Sequence, residues 1–195
     1  MFEKILDFEN KLSEFTGAPY VVTTDCCTHA IELCLYLDEV KECNFSAFTY
    51  ISVLQTMHKL DVNYNLIEEH WIGEYNLHKT RIWDSARRLE PNMYRKGQLQ
   101  CLSFGYSKPL DIGRGGAILL DSKEDYNKLK KLGYDGRDLE IQPWIDQQEF
   151  SIGYHYKLNP EECIKGITYL DYYIKARKFD PINVVYPDCR KVKIK

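Results

Sequence analysis

The sequence predicts a single α/β domain folded as a three-layer α/β/α sandwich. Three observations support this. The length of 195 residues suits one domain. The composition, 44% hydrophobic and 28% charged, is typical of a soluble globular chain. Strand-like and helical segments also alternate along most of the sequence, which is the pattern of an α/β fold.

The first segments give a helix, a strand and a second helix. Apolar residues recur at helical spacing over residues 2–15, which predicts an amphipathic helix. Gly17 is a typical helix stop. Residues 20–24 are predicted to form a strand, and a short turn leads from it into a helix over residues 29–37.

The turn between this strand and helix is a candidate anion site. It has the sequence Asp25-Cys-Cys-Thr28. Backbone N–H groups at a helix N-terminus lack intrahelical partners, and the helix dipole favours negative charge there. Thr28 adds a hydroxyl donor. The alternative is a threonine helix cap without a ligand, and the turn taken alone favours that interpretation.

The middle of the chain places an aspartate at a strand end. Residues 43–50 are predicted to be β-like, residues 51–60 helical, and residues 61–78 carry mixed signals. A strand over residues 80–84 ends at Asp84, where open α/β sheets hold ligands. A helical turn is predicted to follow it. The alternative role for Asp84 is a helix N-cap.

The stretch from Ser103 to Gly116 is the centre of the prediction. A strand over residues 98–104 leads into it, and a strand over residues 117–120 leads out. Lys108 precedes Pro109, which disfavours helical backbone at the lysine. Lys108 is therefore expected in a rigid loop between two strands. The glycines of this loop, at positions 113, 115 and 116, allow a tight and close-packed turn.

The last third of the chain predicts two helices, a long loop and a tail. Residues 122–132 form the first helix, and residues 137–152 are expected to be a loop. Asn159 and Pro160 are strong start signals for a helix that runs to about residue 178. This divides the chain into a compact domain over residues 1–178 and an irregular tail over residues 179–195.

Composition argues against several classes of protein. A net charge of -3 leaves no basic footprint for nucleic acid, and no apolar run is long enough for a membrane span. The N-terminus lacks the apolar core of a signal peptide. The seven cysteines are an odd number without a Cys-x-x-Cys pair, and the histidines are not expected near them. Reduced thiols in a cytoplasmic protein without a metal site are the simplest interpretation.

The central stretch resembles the active-site segment of the DegT/DnrJ/EryC1/StrS family of pyridoxal-phosphate (PLP) enzymes, the sugar aminotransferases. The shared features are Ser103, Phe104, Lys108 five residues after the serine, and the glycine turn. The resemblance implies that Lys108 binds PLP as a Schiff base and acts as the catalytic base. Ser103 is implied to bind the phosphate. Arg114 stands where the family has a glutamate.

Four other stretches are similar to the family's cofactor site. Residues 25–30 resemble its phosphate-binding turn, with Thr28 matching and Cys27 in place of a glycine. Tyr50 follows Thr49 as the family's ring-stacking aromatic does. Asp84 matches the carboxylate under the pyridine nitrogen. The alternative for Tyr50 is a core tyrosine.

Two further positions, one in the Asp84 stretch and one in the fourth stretch, depart from the family pattern. Arg87 occupies the place of a glutamine that contacts the ring hydroxyl, and a cation there would favour the phenolate. His155, in Gly153-Tyr-His-Tyr-Lys-Leu158, occupies the place of an asparagine that reaches the phosphate in the partner subunit. A histidine can also donate a hydrogen bond to phosphate. The alternative for His155 is a surface loop residue.

Taken together, the resemblance implies a reduced fold-type I large domain with a mostly parallel sheet, lacking most of the C-terminal domain. The implied function is transfer of an amino group from glutamate or glutamine to a nucleotide-linked keto sugar. The implied assembly is a homodimer with a shared active site, without nucleic-acid or membrane partners. Two alternatives stay open: a PLP enzyme with another reaction or acceptor, and a non-catalytic fold relic that serves as a binding or scaffold protein.

Overall fold

A computed structural model describes residues 2–194 as a mixed sheet with helices on both faces. Its helices and strands, in chain order, are α1 (Phe2–Thr16), β1 (Tyr20–Thr24), α2 (Cys27–Leu37), β2 (Glu42–Ser46), α3 (Ile51–Lys59), β3 (Asn63–Ile67), β4 (Tyr75–Asn76), β5 (Ile82–Asp84), β6 (Leu99–Ser103), β7 (Gly116–Leu120), α4 (Lys123–Gly133) and α5 (Pro160–Ala176). Between Phe2 and Ile194, none of the helices is both long enough and apolar enough to cross a membrane.

The main sheet has five strands in the order β1-β7-β6-β5-β4. Within this sheet only β5 and β6 pair in parallel, and the other three pairs of neighbouring strands are antiparallel. A separate parallel pair is formed by β2 and β3. The expectation of a mostly parallel sheet was therefore wrong. Parallel neighbours need a long crossover, whereas β4 to β5 and β6 to β7 are joined by single loops that reverse the chain.

Two hydrophobic cores confirm the three-layer α/β/α arrangement. One core packs α2, α3 and α4 against one face of the sheet, with Leu33, Met57 and Ile118 fully buried. The other packs α1 and α5 against the opposite face, around Phe8 and Leu170. The sheet is thus covered on both sides, and its strand ends are left at the rim.

One helix boundary differs from the sequence prediction, and the predicted turn after β5 is present without a helix beyond it. Helix α2 begins at Cys27 rather than at residue 29, and Thr28 lies in its first turn instead of capping it. Residues 85–88 form a single turn, closed by the Arg88 N–H donating to the Ser85 carbonyl at 3.1 Å, and no helix follows. The start of α5 is confirmed, since Asn159 caps it and Pro160 is its first residue.

The C-terminal tail is mostly irregular and lies back across the domain. The Ile182 N–H donates to the Arg87 carbonyl at 2.9 Å. The Cys189 N–H donates to the Ala47 carbonyl at 2.8 Å, and its thiol to the Thr49 carbonyl at 3.3 Å. The tail is thereby attached beside the ends of β2 and β5.

Candidate active site

A cavity of about 380 Å³ lies at the carboxyl ends of β5 and β6. Its walls come from the first turn of α2, the start of α3, the turn after β5, the loop after β6 and the tail. It is lined by seven of the residues that the sequence singled out: Cys27, Thr28, Tyr50, Asp84, Arg87, Ser103 and Lys108. A larger cavity of about 770 Å³ between α1 and α4 contains none of them.

The loop that carries Lys108 is fixed from two sides. Ser107 has the left-handed backbone angle φ of 61°. Its N–H donates to the Asp111 carboxylate at 3.0 Å, and its carbonyl accepts from the Arg87 guanidinium at 2.7 Å. The Lys108 N–H donates to the Gly105 carbonyl at 3.3 Å. The prediction of a loop between two strands is confirmed, and these hydrogen bonds hold Lys108 half-buried at the cavity wall.

The glycines of this loop have separate structural reasons. Gly113 and Gly115 have φ of 93° and 126°, which other residues rarely adopt. Gly116 instead permits a close approach, because a Cβ there would lie 2.6 Å from backbone atoms of Cys26 and Cys27. The bare backbone of Gly116 lets β7 run against the first turn of α2. The α2 N-terminus is thereby brought next to the Lys108 loop.

Asp84 is a buried carboxylate at the end of β5, with 6% of its surface exposed. One of its oxygens accepts from the Ala86 N–H at 3.0 Å. Burial raises the pKa of Asp84, against the opposing effects of the Ala86 N–H, the Lys108 charge and the Tyr75 hydroxyl. Since no helix begins here, the alternative role as a helix cap does not apply.

The pKa of Lys108 is shifted in the opposite direction to that of Asp84. Burial lowers the pKa of its amine, and the Arg87 guanidinium lowers it further, while Cys27 and Asp84 act to raise it. A lowered pKa increases the fraction of neutral amine near neutral pH. The neutral amine is the form that attacks a carbonyl or accepts a proton.

Cys27 and Thr28 form the floor of the cavity at the α2 N-terminus. The Cys27 thiol lies 3.6 Å from the Cys101 carbonyl and 4.0 Å from an Asp84 oxygen. Burial, with the Asp84 charge, raises the pKa of the Cys27 thiol well above its usual value, so it stays neutral and weakly reactive. The Thr28 hydroxyl is 2.7 Å from that of Ser52, which links α2 to α3.

Aromatic side chains line the cavity on the side of α3 and the tail. Tyr50 precedes α3 and is 60% exposed, so the alternative of a core tyrosine was wrong. Trp71, Tyr106 and Tyr186 line the same cavity and were not identified from the sequence. Trp71 falls in a stretch of mixed signals, and Tyr186 falls in a tail without any periodic pattern.

Arg87 is a buried cation that connects three parts of the site. Only 8% of its surface is exposed. Besides the Ser107 carbonyl, its guanidinium donates to the Tyr186 hydroxyl at 3.2 Å and lies 5.8 Å from the centre of that ring. The turn after β5, the Lys108 loop and the tail therefore meet at one side chain.

His155 lies outside this cavity. Its side chain is 72% exposed and sits 2.9 Å from an Asp135 oxygen. The adjacent Tyr156 accepts from the Asp25 N–H at 2.7 Å through its carbonyl and stacks on His29 with ring centres 3.7 Å apart. The segment is thus attached beside the α2 N-terminus with His155 on the outer surface. Its contact with a partner subunit stays a prediction.

An ion-pair network flanks the α2 N-terminus. Asp25 lies 2.7 Å from Arg114 and 2.5 Å from His29. Burial acts to lower the pKa of His29, but hydrogen bonds with Asp25 and Cys26 outweigh it and raise the pKa to about 9. Cysteine and histidine do therefore meet here, contrary to the sequence expectation. The side-chain atoms of Asp25, Cys26 and His29 that could ligate a metal lie within 4.8 Å of one another. Both Asp25 carboxylate oxygens, however, are already paired, one with His29 and the other with Arg114.

The comparison with protein families matches residues 1–69 to the DegT/DnrJ/EryC1/StrS aminotransferase family. This confirms the resemblance over the part of the chain that includes Cys27, Thr28 and Tyr50. Asp84, Lys108 and the other predicted residues lie beyond the matched part. No curated protein matches the chain.

Solved structures confirm the fold over most of the chain. The sugar aminotransferase CalS13 from Micromonospora echinospora has a TM-score of 0.74 at 14% identity, covering 88% of this chain and 61% of that protein. The putative sugar aminotransferase Spr1654 from Streptococcus pneumoniae, in its PMP form, has a TM-score of 0.71 at 16% identity, covering 88% of this chain and 61% of that protein. DesI, solved in the presence of its TDP-sugar product, has a TM-score of 0.73 at 16% identity, covering 89% of this chain and 54% of that protein. The chain therefore has the fold of these proteins and spans 54–61% of their length.

Proposed function

We propose that this chain binds PLP in the cavity at the strand ends and transfers amino groups with it. The observation that carries the proposal is the placement of Lys108 and Asp84 on one cavity, with pKa values shifted toward each other. Perturbed titratable groups in a cleft are typical of catalytic sites. The fold shared with aminotransferases supports the same conclusion.

The donor set of the cavity fits PLP. The Lys108 amine would bind the aldehyde, and the Asp84 carboxylate would face the ring nitrogen. The α2 N-terminus, with the hydroxyls of Thr28 and Ser103, suits a phosphate. Tyr50 would cover the ring face.

The remaining predicted groups would complete the site. The Arg87 cation would favour the ionised ring hydroxyl, and the small, neutral Cys27 would pack beneath the cofactor. His155 of the partner subunit would add a donor to the phosphate in a homodimer.

PLP, when bound, supplies a sink for electrons released at the substrate Cα. The chain's own residues would control the protons. Lys108, with its lowered amine pKa, can accept the Cα proton in its neutral form and return it. The Asp84 carboxylate, facing the ring nitrogen, would keep a proton on that nitrogen. Tyr50 and Trp71 would limit water at the ring face.

The proposed acceptor is a nucleotide-linked keto sugar, and the proposed amino donor is glutamate or glutamine. The acceptor class is supported by the structural likeness to a sugar aminotransferase and to a protein solved with a TDP-sugar product. The free, mostly buried cysteines of the described residues suit the proposed cytoplasmic location.

Visible absorption of the purified protein with added PLP tests this proposal. We expect a band of lysine-bound cofactor that glutamate or glutamine bleaches to the pyridoxamine form. Lys108→Ala should abolish the band. Lys128→Ala, which removes an exposed lysine of α4, is the matched control for adducts at surface lysines and should leave the band unchanged.

The outcomes separate the alternatives. A Lys108-dependent band that neither donor bleaches would indicate a PLP enzyme with another donor or reaction. The absence of the band, or a band that is still present in Lys108→Ala, would contradict the cofactor site. Either result would favour a binding or scaffold role.

A further inference from the structure

Tyr186 is the one tail residue among those that line the cavity. Its ring stacks on Trp71 with centres 5.6 Å apart and planes inclined by 21°. The tail is attached on both sides of it, at Ile182 to the Arg87 carbonyl and at Cys189 to Ala47. Two backbone attachments and one aromatic stack therefore determine where the Tyr186 hydroxyl lies.

The hydroxyl of Tyr186 begins a continuous series of contacts that ends at Lys108. It accepts from Nε of Arg87 at 3.2 Å. Nη1 of the same guanidinium donates to the Ser107 carbonyl at 2.7 Å. Because a guanidinium is planar and rigid, fixing one nitrogen fixes the direction of the other. Ser107 is the residue directly before Lys108 and has the left-handed φ of 61°.

We propose that Tyr186 is a positioning residue for Lys108: it orients the Arg87 guanidinium, which holds the Ser107 carbonyl and with it the loop that carries the lysine. The tail is then part of the active site. The catalytic consequence rests on the proposed function, whereas the contact series itself does not.

The strain at Ser107 makes this support consequential. A non-glycine residue in the left-handed region persists only where its surroundings hold it. Its N–H is held by Asp111 and its carbonyl by Arg87. When the guanidinium loses the Tyr186 acceptor, it can rotate away and the carbonyl side of the loop becomes free to relax. Lys108 would then occupy a wider range of positions.

Hydrogen exchange of the cofactor-free protein tests the positioning directly. Tyr186→Phe keeps the ring and its stack on Trp71 and removes only the acceptor. Tyr172→Phe, at an exposed tyrosine of α5, is the matched control. We expect peptides covering residues 105–109 to exchange about tenfold faster in Tyr186→Phe, as the loss of one charge-assisted hydrogen bond predicts. Equal exchange in the wild type and Tyr186→Phe would overturn the proposal.

A double-mutant cycle tests whether Tyr186 acts through Arg87. If it does, adding Tyr186→Phe to Arg87→Gln should change loop exchange by less than twofold, since the intermediary is already gone. Additive effects of the two substitutions would contradict the series of contacts. Both measurements use protein without cofactor, so they remain decisive even if PLP binding itself fails.

With PLP bound, the pH titration of the lysine-bound band adds a spectroscopic readout. Arg87 lowers the pKa of the free Lys108 amine, so a displaced guanidinium should shift the band's titration midpoint in Tyr186→Phe. The midpoint in Tyr172→Phe should equal that of the wild type. An unchanged midpoint in Tyr186→Phe would count against positioning of Lys108 by this tyrosine.

Discussion

Two acid–lysine pairs in this protein, one fully buried and one with a half-buried lysine, differ in how their charges are satisfied. Glu9 and Lys130 contact directly between α1 and α4, with both carboxylate oxygens 2.9 Å from the ammonium. Thr23 donates to Glu9 through its N–H at 2.8 Å and its hydroxyl at 2.9 Å, and Lys130 donates to Tyr134 at 3.1 Å. Every charge of this pair has a partner.

Asp84 and Lys108 share a cavity without this mutual satisfaction. Each acts on the other through space, and burial shifts the pKa of the acid upward and that of the amine downward. Burying charges without full pairing costs stability, which makes the arrangement hard to explain as a structural support. The contrast indicates that the first pair is a structural support, whereas the second leaves two titratable groups with shifted pKa values on one cavity wall.

Breaking the satisfied pair should give the largest effect. Glu9→Ala leaves the Lys130 ammonium buried without its counter-charge, which should lower the free energy of unfolding by about 3–5 kcal/mol. Urea denaturation measures this. Glu124→Ala removes the acid of an exposed pair with Lys128 and should change stability by less than about 0.5 kcal/mol. Similar losses for the two variants would show that the buried pair is not special.

The close approach of Gly116 to the first turn of α2, beside the cavity of Asp84 and Lys108, should give the next largest loss of stability when it is disturbed. Gly116→Ala places a Cβ 2.6 Å from the Cys26 and Cys27 backbone, and this overpacking should cost about 1–3 kcal/mol. Gly105→Ala, in the same loop, meets only Ser103 Oγ at 3.7 Å and is the matched control. Thermal unfolding of both variants checks the difference. A Gly116→Ala protein as stable as Gly105→Ala would contradict the tight contact.

Neutralising the acid of the Asp84–Lys108 pair should have a smaller effect on the free energy of unfolding, and one of opposite sign: a gain in stability. Asp84→Asn removes a buried charge and should raise the unfolding free energy of the cofactor-free protein by about 1 kcal/mol at neutral pH. A raised carboxyl pKa means that the folded state loses stability as pH rises from the ordinary value of 3.8 to the folded one. The advantage of Asp84→Asn should therefore grow over that interval and then stay constant.

Below the ordinary carboxyl value of 3.8, where Asp84 is protonated in both the folded and the unfolded state, Asp84→Asn and the wild type should differ little in stability. If Asp84→Asn were instead less stable than the wild type throughout, Asp84 would be a structural acid like Glu9.

The sequence predicted those parts of the site that lie in contiguous, strongly constrained segments. Lys108 could be placed in a loop because the following proline disfavours helical backbone and three nearby glycines permit a tight turn, and the family resemblance then implied its role. Asp84 could be placed because an apolar strand ends at it. Both constraints act over a few residues and are therefore visible in one sequence.

Features that depend on distant pairing could not be predicted in the same way. Arg87 and Tyr186 are 99 positions apart, and no local pattern marks either as a partner of the other. The antiparallel order of the main sheet depends on which strands pair across loops. The contact of Cys26 with His29 was missed because it requires a helix that starts at Cys27.

The most direct test of the account is borohydride reduction of the PLP-treated protein followed by peptide mass spectrometry. Reduction fixes the cofactor covalently on whichever amine holds it. We expect the adduct on Lys108 at near-unit occupancy, with only traces on exposed lysines such as Lys128. An adduct spread over exposed lysines and missing from Lys108 would contradict the proposed cofactor site.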